Sequence, residues 1–386
     1  TWFGVELKGN FLVSGGDFLS PESELPVAGQ AVAGVRASLL QGMFIDERRA
    51  ALRQAELLAK LNEADRLLWL NDLLLDAAKV YWNWSVAYNR LLIFDRALEV
   101  TEQRFGGVVE SFIQGDLPAV ETLETMIQLQ NRQFDVNEAL LEYQNATLAL
   151  SNFLWLDGHI PLELTDEVRP PDPAEWPEES VIPSQRVYQE LLSLRHPELR
   201  FYQVQLEQLD VDRRLAAEML KPRLDVEYNF LGDGFNFLGP NPTDEDGDLR
   251  QLFFQNYKWA IHFSYPLLLR KERGKLQLNK IKIMDTDYKL QQKRLELTNK
   301  VGQYYNELVN LQQQIDLNQE MVRNYRRLLE AENRKFDIGE SSIFLINSRE
   351  QKLIEAQLKL AKLRADFWKT RAALNWAAGV LPEEVN

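Results

Sequence analysis

Sixty-three consecutive residues, Met43 to Phe105, contain neither glycine nor proline. Leucine, alanine, glutamate and arginine dominate the run, and these side chains lose little on entering a helix. The run therefore predicts one unbroken helix, a rod of about 95 Å at 1.5 Å per residue. No ordinary globular core needs an element of that length. Leu57, Leu61, Ala64, Leu68, Leu75 and Ala78 recur at spacings of three and four or their sum, so the rod should pack lengthwise against a partner.

The partner follows at once. The pattern extends to residue 113, halts at Gly115 and restarts by residue 118; Ala119 to Leu156 again lacks glycine and proline. Glycine takes the left-handed conformation cheaply and so ends helices, and Asp116 is placed to cap the helix that restarts. A shift of 339 − 115 = 224 then repeats the unit. Phe112 falls on Phe336, Gly115 on Gly339, Asp116 on Glu340, Leu129 on Leu353, Leu150 on Leu374 and Arg49 on Arg273, without a gap. In the second copy Ser341 or Ser342 would cap the returning helix. The unit is a helical hairpin with a tight tip, built twice.

Each hairpin is preceded by alternation. Phe3, Val5, Leu7, Phe11 and Val13 oppose Glu6, Lys8, Asn10 and Ser14, and a weaker alternation runs from Val32 to Leu40. In the second copy Leu224, Val226, Tyr228 and Phe230 oppose Asp225, Glu227 and Asn229. Tyr257, Trp259, Ile261, Phe263 and Tyr265 likewise oppose Lys258, His262 and Ser264. Period two is the mark of strands with a different environment on each face. The first repeat thus comprises a strand hairpin over 2–40, a long helix over 43–113 and a returning helix over 118–156. Residues 157–185 hold six prolines and read as an irregular connector. The second repeat comprises a helix over 186–220, a strand hairpin over 223–266, a long helix over 275–337 with Gly302 as its one interruption, and a returning helix over 342–378. Because the first repeat lacks a counterpart of the 186–220 helix, the natural chain is expected to extend further toward its N-terminus, with an export signal.

Composition restricts what such a chain can do. The net charge of −14 argues against nucleic acid as a partner. With no cysteine there are no disulfides, thiolate metal sites or cysteine nucleophiles. No apolar run reaches 18 residues, so a membrane could be crossed only by strands. The four strands are of about the right length, and Trp2, Phe3, Phe11, Tyr228, Phe230, Phe253, Phe254, Tyr257, Trp259 and Tyr265 would supply interfacial girdles. An open four-stranded sheet cannot exist in lipid, so copies would have to combine to close a barrel. Lys258 and His262 should then face the lumen, with Trp259 and Phe263 toward lipid. His159, His196 and His262 lack ligand spacing and read as loop or lumen residues. Asp244 to Asp248 lacks the calcium-loop pattern and reads as a solvated loop. There is no phosphate loop and no nucleophile elbow, so neither a cofactor nor an enzymatic role is expected.

The order of strand hairpin, long helix, glycine tip and returning helix, repeated once, resembles the TolC family of outer-membrane channel proteins. Lys221-Pro-Arg-Leu224 entering a strand, Phe336-Asp-Ile-Gly339 at a tip and Trp368-Lys-Thr-Arg-Ala-Ala-Leu374 before Gly379 carry the likeness across the whole chain. The resemblance implies an α+β membrane protein, in which a homotrimer shares one barrel of transmembrane β-strands and long antiparallel coiled-coil helices form a periplasmic tunnel. It implies passive export across the Gram-negative outer membrane, for efflux or type I secretion, powered by an inner-membrane pump through a periplasmic adaptor. On the same grounds Gly115, Asp116, Leu117, Gly339, Glu340 and Ser341 would be adaptor-docking tips. Family tips often read Val-Gly-Leu, whereas these read Gln-Gly-Asp-Leu and Ile-Gly-Glu-Ser, which leaves the adaptor unidentified. Some members carry aspartate rings six and nine residues past the second tip glycine. Those places are Leu345 and Ser348 here, and Glu121 and Glu124 in the first repeat. Together these four would line a constriction, though the two glutamates would equally serve to solvate a helix face. The competing reading is a non-conducting coiled-coil scaffold or an adaptor, which would share the long hairpins but not the aromatic-rich strands.

Overall fold

The computed structural model of the chain describes residues 5–15, 25–157, 159–165, 168–171, 176, 182–235, 237 and 256–380. Trp2, Phe3, Phe253, Phe254 and the acidic Asp244 to Asp248 stretch lie outside them. The chain divides into two compact units, Thr1–Ala64 with Arg200–Gln292 and Asp65–Leu199 with Lys293–Asn386.

The first unit holds a four-stranded antiparallel sheet. Strands β1 (Val5–Leu12), β2 (Gln30–Ser38), β5 (Arg223–Asp233) and β6 (Tyr257–Ser264) lie side by side in that order, so β2 and β5 join the two repeats' hairpins along the middle. Register sorts the alternating sequence into two faces. Leu7, Val35, Tyr228 and Trp259 align across the sheet, as do Val5, Ala37, Val226 and Ile261. The intervening row carries Glu6, Arg36 and Glu227, on the face shared by Lys258 and His262. Trp259 and Phe263 thus lie on the face opposite Lys258 and His262, as the alternation predicts. Pairs cross β1, β2 and β5 on the charged face: Lys8 donates to Glu227 at 3.0 Å, and buried Asp225 accepts from Arg36, Ser38 and Arg223. The apolar face is left uncovered, with Leu7 78%, Trp259 59% and Phe263 67% exposed.

Beside the sheet, the start of α1 (Glu47–Gln114) packs on α4 (Pro197–Glu218). Ala50, Leu57, Val204, Val211 and Leu215 are buried together. Ala50 and Leu57, like Val204 and Val211, stand one heptad apart, the spacing of a coiled-coil seam.

The second unit brings together the rest of α1, α2 (Ala119–Ser151), α3 (Gln185–Arg195), the greater part of α5 (Arg270–Asp337) and α6 (Ile343–Ala378). Phe94, Ala97, Ala139 and Ile354 form a core shared by α1, α2 and α6. Helix α6 is buried along much of its length, and its small residues Ala361, Ala365, Ala373, Ala377 and Ala378 permit close approach. The proline-rich connector is fastened by Trp176, which is buried edge-on against Trp82 while Trp82 stacks on Trp368.

Several boundaries differ from expectation. Helix α2 ends at Ser151 rather than 156, because Trp155–Leu156 (β3) pair with Ile160–Pro161 (β4) in a small hairpin. The helix expected over 186–220 is two helices, broken at His196 because Pro197 disfavours helical geometry in the residue before it. Helix α5 begins at Arg270 and runs through Gly302 unbroken, since a lone interior glycine weakens a helix without ending it.

Candidate functional site

Both hairpin tips close in the same way. Gly115 (φ 86°) and Gly339 (φ 78°) are left-handed. The Gly115 N–H donates to the Phe112 carbonyl at 3.0 Å, and the Asp116 N–H to Ser111 at 2.9 Å. At the other tip the Gly339 N–H donates to Phe336 at 2.9 Å and the Glu340 N–H to Lys335 at 2.8 Å. Each pair is a Schellman closure, which satisfies carbonyls the helix end would otherwise orphan. Among the described residues no atom beyond the immediate chain neighbours comes within 4 Å of where a Cβ would stand on either glycine, so conformation, not space, requires glycine here.

The expected side-chain caps do not form. The cap position of α2 is Pro118, which has no polar side chain, and Asp116 lies two residues ahead of it. Ser342 does occupy the cap of α6, but its hydroxyl makes no capping bond; its carbonyl instead accepts from the Leu345 and Ile346 N–H groups. The Ser341 hydroxyl reaches back and donates to Glu332 Oε1 at 2.6 Å. That bond first, then Arg349, whose Nε stands 3.5 Å from the other carboxylate oxygen, holds the Glu332 carboxyl below the usual range. The second tip is therefore pinned by a hydrogen bond between its loop and the preceding helix.

The predicted docking residues Asp116 and Glu340 are exposed, and Leu117 and Ser341 half-buried. Ile113, Val120, Leu123, Ile338 and Phe344 add exposed apolar surface around them. Among the predicted constriction residues, Glu121 and Glu124 begin α2 and are half-buried, and among the described residues Glu121 Oε2 is buried without a partner. Leu345 is exposed and Ser348 half-buried, both in the first two turns of α6.

A polar clamp just behind the tips was not anticipated. Arg104 of α1 donates to Glu350 at 2.8 and 3.2 Å and to Asn347 at 2.9 Å. Arg132 of α2, its side chain buried, donates to Gln351 at 2.8 Å and Asp135 at 3.0 Å. Two arginines of the first repeat thereby grip one stretch of α6 from the second. The repeat itself held the signal: Arg104, Arg132, Asn347, Glu350 and Gln351 match Leu328, Ala356, Leu123, Met126 and Ile127. Each of these five is polar where its counterpart is apolar.

His196 lies in the break between α3 and α4, as a loop residue would, but it is buried rather than facing a lumen. It accepts from the Glu198 N–H through Nδ1 at 3.2 Å, and its backbone lies against Gly379, where a Cβ would stand 2.7 Å from the His196 Cα. Burial pushes its pKa down to about 4, helped by Lys293 and Lys300 and opposed by the Trp376 carbonyl. Among the described residues no group of histidines and carboxylates is arranged to hold a metal ion, and no helix is long and apolar enough to cross a membrane.

Comparison with known proteins fits this geometry. The sequence pattern of the family described as outer membrane efflux protein matches residues 187–380. The chain is similar in structure to the CmeC outer membrane channel of Campylobacter jejuni, with a TM-score of 0.66 at 17% identity over 98% of this chain and 77% of that one. It is also similar to the outer membrane protein VceC of Vibrio cholerae (0.67, 15%, 98% and 86%). The open state of the Neisseria gonorrhoeae MtrE outer membrane channel gives 0.64 at 15%, covering 98% and 80%. No curated protein sequence matches the chain.

Proposed function

We propose, from the premise that this chain belongs to the outer membrane efflux protein family, whose pattern spans 194 of its 386 residues, that three copies close one barrel and one tunnel. The family places the protein in the outer membrane as an exit duct. The single observation that most supports closure by several copies is the sheet. Its apolar face is exposed, its charged face carries ion pairs across β1, β2 and β5, and β1 and β6 each hydrogen-bond on one side only among the described residues. Such edges cannot remain open in hydrocarbon, where no water satisfies the backbone. Pairing β1 of one copy with β6 of the next would leave no edge.

In this reading export is passive, and energy comes from an inner-membrane pump reached through a periplasmic adaptor. Gly115, Asp116, Leu117, Gly339, Glu340 and Ser341 form the adaptor-docking tips. Glu121, Glu124, Leu345 and Ser348 line the constriction, with the arginine clamp holding the tips closed. The cargo is a small molecule of an efflux system or a polypeptide of a type I secretion system. The deciding experiment is single-channel recording of purified protein in planar bilayers together with its mass in detergent. A trimer with discrete, mostly closed openings is expected. A monomer, or an oligomer that inserts and never conducts, would overturn the reading in favour of a scaffold.

A further inference from the structure

Where β6 ends and α5 begins, the chain makes a turn whose shape is costly. Leu269, a non-glycine residue, has φ 46°, a region L side chains rarely adopt. Its side chain is buried, and its two predecessors are turned outward: Leu267 is 92% and Leu268 64% exposed. Directly after them stand Arg270, Lys271, Arg273 and Lys275, all exposed. Among the described residues none of these four is paired with an acid. Across residues 267–282 six cations face the single carboxylate of Glu272, in a chain whose net charge is −14.

The register places this turn. Ser264, the last residue of β6, lies opposite Arg223, the first of β5, and the end of β2 at Ser38 lies opposite Asp225. The turn from β2 into α1 therefore leaves the same end of the sheet. The 224-residue shift puts Met43 and Phe44 on Leu267 and Leu268, and Met43 and Phe44 are exposed as well. An apolar pair thus recurs at the same level in both repeats. A contact between copies would meet the two turns with different surfaces. A planar bilayer would meet both alike, which is what a duplicated apolar pair requires.

The charges are not duplicated. In the first repeat Asp46 and Glu47 stand where the second has Arg270 and Lys271, and its arginines are matched: Arg48 to Glu6, Arg49 to Asp46 and Arg53 to Glu56. Only the second turn has cations to spare. We propose that this turn is an interfacial anchor, in which Leu267 and Leu268 enter the acyl boundary while Arg270, Lys271, Arg273 and Lys275 bind the headgroup phosphates of anionic phospholipid. The proposal rests on the outer-membrane reading above. Basic residues at a membrane surface favour anionic lipid by roughly five-fold per charge, so four of them suffice to enrich it locally.

The absence of cysteine makes a clean probe possible. A nitroxide attached to Leu267→Cys, with the protein in vesicles of phosphatidylethanolamine and phosphatidylglycerol, should be reached by oxygen and shielded from a water-soluble nickel complex. Access by nickel would put the turn in water, and access by neither would put it under a second copy; either result overturns the anchor. In nanodiscs of the same lipids, the oligomer should retain phosphatidylglycerol several-fold above its bulk share. The R270Q/K271Q/R273Q/K275Q variant should fall to the bulk share, whereas R326Q/R327Q/K359Q/K362Q, which removes as many exposed cations elsewhere, should not. Equal retention by wild type and the first variant overturns the headgroup assignment. Failure of wild type to float with vesicles would instead remove the membrane reading itself.

Discussion

Arg104 holds Glu350 through two guanidinium nitrogens, at 2.8 and 3.2 Å, and so ties the long helix of the first repeat to the returning helix of the second. The pair is largely out of solvent, with side-chain exposures of 15% and 7%. Attraction within such a pair is offset by the cost of taking both charges out of water, so its removal as a unit changes stability little. Removing one partner strands the other.

Arg104→Ala should therefore cost about 3 kcal/mol, the penalty for an uncompensated buried carboxylate. Arg104→Met with Glu350→Met should recover most of that stability in thermal melts. If the clamp closes the tips, both variants should raise open probability in bilayers, although only the first is unstable. Open probability that follows stability rather than the loss of the pair would rule out a gating role.

The tip glycines are tested separately. With no neighbour near either Cβ position, Gly115→Ala and Gly339→Ala meet only the cost of a left-handed alanine, roughly 1 kcal/mol each. Gly115→Asn and Gly339→Asn should cost less, because asparagine tolerates that conformation. Amide exchange at Asp116 and Glu340, whose N–H groups close the two motifs, should quicken in the alanine variants and change less with asparagine. Unchanged exchange in all four would mean that the tips are held from outside the motif.

What the sequence disclosed, and what it withheld, divides along the repeat. Features both copies share, such as Gly115 with Gly339, were legible because period and punctuation follow from local backbone preference. The alternating faces of the four strands were legible for the same reason. Features that belong to one copy were not read. The clamp is visible only as a departure from symmetry, Glu350 against Met126 and Arg104 against Leu328, and its pairing depends on which helices meet. Sheet order is likewise tertiary, since nothing local in Val35 specifies Tyr228 as its neighbour. Asp116 reads as a cap, yet Pro118 takes that place. His196 reads as a loop or lumen residue, yet the break before Pro197 turns it inward against the end of α6.

His196 makes stability depend on pH in a definite direction. Its folded pKa is about 4, against an ordinary value of 6.5, so the unfolded chain binds the extra proton first. Stability from the neutral imidazole is complete above pH 6.5 and is lost as pH falls toward 4, levelling below that. The whole window is worth about 3 kcal/mol. The difference in unfolding free energy between wild type and His196→Gln should change by that amount between pH 7 and pH 4, with the slope of one proton. A flat difference across the window would mean that the imidazole is not held neutral.

Glu121 and Glu124 decide whether the first tip is a selectivity element. Both glutamates lie at the start of α2, and Glu121 Oε2 is buried with no donor among the described residues. In one copy that oxygen is an unexplained cost, since buried polar atoms are ordinarily satisfied. Around a threefold axis six carboxylates would converge, and a cation or a donor from the next copy would supply what is missing. Glu121→Ala should therefore lower the cation-to-anion permeability ratio several-fold, read from reversal potentials in asymmetric salt, and should weaken block by divalent cations. Glu124→Ala should act in the same direction. A glutamate that merely solvates its helix would leave the reversal potential where it was and change only the stability of the first turn, by the few tenths of a kcal/mol expected of a charge at an exposed helix terminus.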